Sequence, residues 1–363
     1  MENTKATGEA TASGLIKSNF DTVINGKEVR LYILSNNKGA EICITNFGGI
    51  VVSLSVPDKN GKLTDVVLGH SSIKNYLNSP EKYLGALIGR YGNRIKRGEF
   101  ELDGKAYKVR SNNPDCALHG GITGYNNVVW DAVQNDKNSL DLTYVSADGE
   151  EGFPGTLTIK VRYTLTDENE MKIEYSATTD KATVVNLTHH SFFNLNGDGE
   201  GEITNHRVTI DAGFYTPMDD KSVPTGEISR VEGTPMDFRT PFVVGERIDA
   251  DFDQLKFGKG YDHNYVLRKS WPGELSFAAA AVSPKTGISM EVYTTEPGVQ
   301  LYTGNWLNGF EGKQGRRYTE RTAICFETQH FPDSPNNPHF PSTVLRPGEK
   351  YTQTCIYKFG IEK

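Results

Sequence analysis

Two adjacent histidines, His189 and His190, stand in the segment NLTHHSFFNL (residues 186–195), where apolar and polar residues otherwise alternate. In an extended strand, neighbours point to opposite faces, so the two imidazoles cannot act on the same side. His189 shares its face with Leu187, Ser191, Phe193 and Leu195, a set suited to a core. His190 shares the other face with Asn186, Thr188, Phe192 and Asn194, which offers hydrogen-bond donors and acceptors and one ring to stack against. Such a face fits a polyhydroxyl ligand. His190 is therefore the candidate for chemistry and His189 for a structural hydrogen bond. For this segment taken alone, two merely satisfied sheet histidines are the more economical explanation.

A second segment, RTAICFETQHFPD (residues 321–333), divides in the same way. Ala323, Cys325, Glu327 and Gln329 share one face; Ile324, Phe326 and Thr328 share the other. A carboxylate inside a strand between apolar neighbours is either paired or held near a neutral pKa by desolvation, and both are features of functional sites. The alternative is an edge-strand glutamate in water. Further candidates lie in loops, where binding groups concentrate on a rigid scaffold. Asp262 follows the Gly258/Gly260 turn of GKGYDHNYVL with Asn264 on its face, and His119 opens the glycine-rich ALHGGITGYNNVVW. Asn93 and Arg94 precede a hairpin in IGRYGNRIKRGEFEL, where the guanidinium could serve several hydroxyls or pair with a surface acid.

Metal and nucleotide signatures do not occur. There is no HExxH and no His-x-His, and Glu327 and His330 would share a face only in a helix, which the strand pattern denies. GxSxG and the P-loop are also missing. The inventory is an acid, a base and several hydrogen-bonding groups, with no cofactor site expected.

The elements that must position these groups are strands. EVRLYIL, AEICITNF, LTIKVRYTL, MKIEYSAT, ISMEVYTT and RTAICFETQ all show period two with many β-branched and aromatic residues, and helical spacing is scarce. Turn chemistry at Asp58–Gly61, Asp103–Gly104 and Asp167–Glu170 predicts hairpins. Glycine and proline are spread along the chain and no fixed-period repeat is apparent, so the expectation is one all-β domain over residues 20–363, a large antiparallel β-sandwich. Residues 1–19 read as a polar, disordered leader.

Composition narrows the partners. A net charge of −7 with both signs interspersed and no basic stripe disfavours nucleic acid and acidic membrane surfaces, and leaves a neutral small molecule as the fitting ligand. No run approaches the roughly 20 apolar residues of a membrane helix. The four cysteines are far apart and read as buried free thiols. The expected location is cytoplasmic, or periplasmic or exported if the leader follows a removed signal. A monomer or a homodimer is expected.

Taken in order, GRYGNRI, LHGG, NLTHHSFFNL, GYDHNYVL, PGVQLYTGN and FETQHFPDSPN resemble the aldose 1-epimerase (galactose mutarotase) family, from about Phe20 to Phe359. DGEEGFPG and MDFRTPF connect them. The resemblance implies a galactose-mutarotase-like β-sandwich with a sugar cleft, independent of metal or nucleotide. It implies Glu327 as general base and His190 as general acid, with His119, Asp262 and Arg94 orienting sugar hydroxyls and Asn93 and Gln300 as further contacts. The implied reaction opens an aldose at its hemiacetal, rotates C1 about the C1–C2 bond and closes the ring on the other face. One base and one acid suffice for that, and an imidazole of pKa near 6.5 would serve in both protonation states. Two other functions share the residues: a glycosidase built on Asp262 and Glu327, and a non-catalytic sugar-binding sandwich using Phe192, Trp306 and the amides. A phosphosugar epimerase would need more basic residues than Arg94.

Overall fold

A computed structural model describes residues 10–362. Strands alternate along nearly the whole length; the helices described are the single turns Ile73–Leu77 and Asp253–Gly258 and short 3-10 segments. None of the helices is long and apolar enough to cross a membrane.

The largest element is a nine-stranded sheet, antiparallel at every pairing. At its centre lie Leu157–Leu165, Glu170–Thr179, Tyr351–Ile361 and Ile288–Thr294. Alternation makes one face apolar: within Leu157–Leu165 the side chains of Leu157, Ile159, Val161, Tyr163 and Leu165 are all buried. That face meets a five-stranded antiparallel sheet in the order Ser229–Arg230, Ala212–Thr216, Asp262–Leu267, Gly298–Tyr302, Cys325–Gln329. Tyr265, Val299, Leu301 and Phe326 of the smaller sheet join Ile173, Val292 and Tyr357 of the larger one in a single core cluster. Polar ties cross the interface: the Tyr357 hydroxyl donates to the Phe326 carbonyl at 2.7 Å, and the Gln353 amide to the Thr328 carbonyl at 3.1 Å. A four-stranded sheet, Leu31–Ser35, Glu41–Thr45, Ile50–Pro57 and Leu63–Asp65, extends this core. The arrangement is a large all-β sandwich.

The hairpins expected at Asp58–Gly61, Asp103–Gly104 and Asp167–Glu170 are present. Two expectations are corrected. EVRLYIL is two strands, Lys27–Val29 and Leu31–Ser35, because each pairs with a different partner and the Arg30 N–H between them donates to the Asn46 side chain. The disordered leader does not extend to residue 19. From Ala10 onward the chain is packed, with Leu15 only 1% exposed and the Leu15 N–H bonded to the Thr11 hydroxyl. A short polar segment hid one apolar anchor. Residues 1–9 lie outside the described residues.

Candidate active site

Register across the smaller sheet builds the floor of the site. Thr216 pairs with Asn264, Asn264 with Gln300, and Gln300 with Glu327, so four polar side chains form a row across four strands on the face turned away from the core. One step along, Asp262 pairs with Tyr302 and Tyr302 with Cys325. Amide bonds stiffen the row: Gln300 Nε2 donates to Asp262 Oδ1 at 2.7 Å, and Gln329 Nε2 donates to Asn264 Oδ1 at 3.2 Å and to Gln300 Oε1 at 3.3 Å.

Above this floor is a cleft of about 520 Å³. Glu327, His190, His119, Asp262, Arg94, Asn93 and Gln300, drawn from six separate segments, all line it. At its inner end His190 Nε2 lies 3.4 Å from Glu327 Oε1, with His190 5% and Glu327 2% exposed. Neither Glu327 Oε2 nor His190 Nδ1 has a hydrogen-bond partner. Buried polar atoms are rarely left without one, so these two are open for a ligand.

His190 is held by packing and by its backbone. Its ring stacks on Phe192 at 4.8 Å, and Tyr83 lies over it at 6.0 Å. The His190 N–H donates to the Ala86 carbonyl, and its carbonyl accepts from the Gly85 N–H. The face expected to be uniformly available is not. Only His190 and Phe192 reach the cleft, while Asn186 bonds to Gly92 and His330, and Asn194 bonds to Gly201 and Thr322. The regular strand is just Thr188–His189. Single bridges to Tyr91, Val67 and Ile324 bend the rest away.

His119 and Asn93 lock each other. The Asn93 N–H donates to His119 Nδ1 at 3.1 Å, and the His119 N–H donates to the Asn93 carbonyl at 2.9 Å. Both have positive φ, 61° and 52°, conformations that persist only where surroundings impose them. The next residue has to be glycine. Gly120 has φ +93°, and a Cβ there would lie 2.0 Å from the Gly89 carbonyl oxygen. Because Nδ1 accepts, the neutral His119 ring carries its proton on Nε2 and presents a donor to the cleft. Arg94 sits beside it without a carboxylate in ion-pair range among the described residues, and its Nε is unpartnered.

One donor atom each from His119, His190 and Glu327 lies within 4.8 Å of the other two, a set of ligands that motif spacing did not bring together. Two histidines and a carboxylate suit a transition metal. The His119 tautomer does not, since its Nε2 lone pair is taken up by a proton for as long as Nδ1 accepts from Asn93.

Electrostatics set the resting state. Burial, then the nearby Asp262 carboxyl, push Glu327 well above the usual carboxylate range, while Arg94 pulls it down. Burial lowers His190 to about 3. His119 is lowered by burial and then by His190 and Arg94. Asp262 is raised by burial against the pull of Arg94 and of the Gln300 amide. Burial therefore disfavours the charged form of both members of the pair. The expectation of an imidazole titrating near 6.5 is corrected, and the cause is desolvation.

Several lining residues were not foreseen. Tyr302 has the same parity as Gln300, a signal that was available in PGVQLYTGN. Glu81 and Tyr83 come from an irregular stretch with no periodicity, and Asp220–Ser222 from a turn, so nothing local marked them. His330 does not line the cleft; its Nδ1 is 2.5 Å from Glu296.

Comparison with known proteins agrees with this geometry. The model of the family "Aldose 1-epimerase" matches residues 30–358. The galactose mutarotase of Bos taurus is 43% identical over 319 residues, 88% of this chain and 90% of that protein. The aldose 1-epimerase of Escherichia coli (strain K12) is 36% identical over 341 residues, 93% and 97% of the two chains. Among solved structures, an aldose epimerase homologue from C. elegans superposes with a TM-score of 0.85 at 32% identity, covering 92% of this chain and 99% of that one. A galactose 1-epimerase from Lactobacillus acidophilus NCFM gives 0.82 at 26% identity, covering 94% and 97%. The sandwich, the cleft and these matches together place the chain in the aldose 1-epimerase family.

Proposed function

We propose that the protein equilibrates the α and β anomers of free aldohexoses such as glucose and galactose, with Glu327 and His190 exchanging protons with the sugar. The observation that carries this is the 3.4 Å approach of His190 Nε2 to Glu327 Oε1 at the closed end of a cleft that fits a sugar. A mutarotase has two protons to move, one off the C1 hydroxyl and one onto the ring oxygen. Glu327 takes the first as general base, and His190 gives the second as general acid. The C1–O5 bond breaks, C1 turns about the C1–C2 bond, and both transfers reverse on the opposite face.

The resting protonation fits this scheme once the pair is treated as one unit. Burial of both groups favours a neutral pair with one proton between carboxyl and imidazole. Moving it from Glu327 to His190 creates an ion pair without changing the net charge, so burial opposes it less than it opposes ionising either group alone. Sugar hydroxyls then donate to the unpartnered Glu327 Oε2. Arg94 and the His119 Nε2–H serve as donors to the sugar, and Asp262, fixed by Gln300, as the acceptor.

Polarimetry on freshly dissolved α-glucose and α-galactose tests the reaction. The optical rotation should relax much faster with catalytic amounts of protein than without. A rate equal to that of buffer alone would end this proposal.

A further inference from the structure

His119 stands on a turn that needs outside support to keep its shape. Residues 118–121 are closed by the Gly121 N–H, which donates to the Leu118 carbonyl at 3.2 Å. The two central residues, His119 and Gly120, have φ of 52° and 93°, the pattern of a type I′ turn. Glycine takes such angles freely, whereas a residue with a Cβ keeps them only under constraint. The constraint comes from Asn112. Its Oδ1 accepts from the Leu118 N–H at 2.7 Å, and its Nδ2 donates to the Leu118 carbonyl at 2.9 Å and to the Gly121 carbonyl at 2.8 Å. One amide thus grips both ends of the turn, because it presents acceptor and donors side by side, as a neighbouring strand would. Nδ2 also lies 3.2 Å from the Tyr83 hydroxyl, and the Tyr83 ring meets the His119 ring edge-on at 4.5 Å.

Asn112 is exposed and does not line the cleft, although Asn113 and Pro114 beside it do. Its amide is spent on the turn and on Tyr83. We propose that Asn112 is a positioning residue for the anomer exchange: by clamping residues 118–121 it aims the His119 Nε2–H at the sugar. This rests on the exchange, and on the donor role of His119, proposed above. Asn93 fixes which nitrogen carries the proton, and Asn112 fixes where that proton points. The residue after the turn has its own anchor, the Ile122 N–H donating to Glu151 Oε2 at 2.8 Å, so losing Asn112 loosens the turn without releasing the loop. An exposed side chain also leaves no core void when truncated, which keeps the fold intact.

The experiment is a double-mutant cycle on Asn112→Ala and His119→Ala, with KM and kcat for α-glucose read by polarimetry and stability by urea unfolding. Asn112→Ala should raise KM about fivefold, part of the roughly tenfold that one lost hydrogen bond to the sugar costs, with kcat near wild type. Added to His119→Ala, it should raise KM no further, since the donor it aims is already gone. Asn112→Asp should do no better than Asn112→Ala, because its second oxygen would face two carbonyl oxygens. A wild-type KM in Asn112→Ala overturns the proposal, whatever the change in stability. A rise in KM that multiplies with that of His119→Ala overturns it too, as the mark of a residue that acts elsewhere. If His119→Ala leaves KM unchanged, the donor role of His119 fails first; if the wild type does not accelerate anomer exchange, that reading fails. Either result takes the positioning role with it.

Discussion

His189 and His190 are neighbours in the chain and opposites in environment. Both are buried, and burial lowers both to about 3. The His189 ring is bonded at both nitrogens, Nδ1 with the Tyr163 hydroxyl at 3.3 Å and Nε2 with the Ser191 hydroxyl at 2.6 Å. The His190 ring has Nδ1 unpartnered and Nε2 facing a carboxyl at the edge of hydrogen-bond range. His189 spends its hydrogen-bonding capacity within the fold; His190, proposed to work on the sugar, keeps an atom free of protein partners. Phe326 and Glu327 repeat the contrast on the adjoining sheet, one in the core cluster and the other in the cleft.

That contrast can be broken most directly at the proposed catalytic pair. His190→Ala and Glu327→Gln should each lower kcat by about 10²–10⁴-fold, the usual worth of a positioned acid or base, with unfolding temperature close to wild type. Near-normal mutarotation in either would put that residue outside the mechanism. His189→Ala should show the reverse. It strands the buried Ser191 hydroxyl, while Tyr163 keeps its bond to the Gly49 carbonyl, and leaves a void, so stability should fall by about 2–4 kcal/mol in urea unfolding while kcat stays near wild type. If kcat collapsed while stability held, the two histidines would have been assigned the wrong way round.

The groups around the pair sharpen the comparison. His119→Ala, Arg94→Ala and Asp262→Asn should each raise KM about tenfold, the effect of losing one hydrogen bond to a charged or well-aligned partner. Unchanged KM values would remove their orienting role. The pH profile separates a coupled pair from an unshifted imidazole. An acid of ordinary pKa would lose activity as pH rises through about 6.5. Here burial lowers His190 to about 3 and raises Glu327, so kcat/KM should show no fall at the ordinary imidazole value of about 6.5. Its acid limb should lie far below, where His190 gains a second proton for the pair. A sharp fall centred at 6.5 would contradict the coupling.

The smallest effect is expected at His330, a third histidine beside a carboxylate but outside the cleft. Burial pulls its pKa down, yet Glu296 at 2.5 Å more than offsets this, and the net shift is upward. The pair's stabilisation is therefore complete below the unfolded value near 6.5 and fades as pH rises through the raised folded value. Glu296→Gln should flatten that part of the curve, measured as unfolding temperature between about pH 6 and about pH 9. Loss of mutarotase activity in the same variant would show that His330 reaches the site after all.

Much of this was legible in the chain. Period-two patterning gave the all-β class, and parity alone sorted Glu327 from Phe326 and His190 from His189. Parity works because a strand has a fixed two-residue repeat, whatever surrounds it. It erred at Asn186 and Asn194, beside single bridges to three partners, where the side chains go into structural bonds instead of the cleft. The four-residue row from Thr216 to Glu327 could not be read at all, because strand pairing between segments scores of residues apart is set by tertiary register.

The amino-acid sequence by itself determined which groups are available for chemistry, which face of a strand each one takes, and the family that their order resembles. Tertiary structure alone decided that His190 and Glu327 meet at 3.4 Å, that Asn93 fixes the tautomer of His119, and that burial lowers His190 while raising Glu327. Side-chain type is a local property. Distance and desolvation belong to segments that only folding brings together.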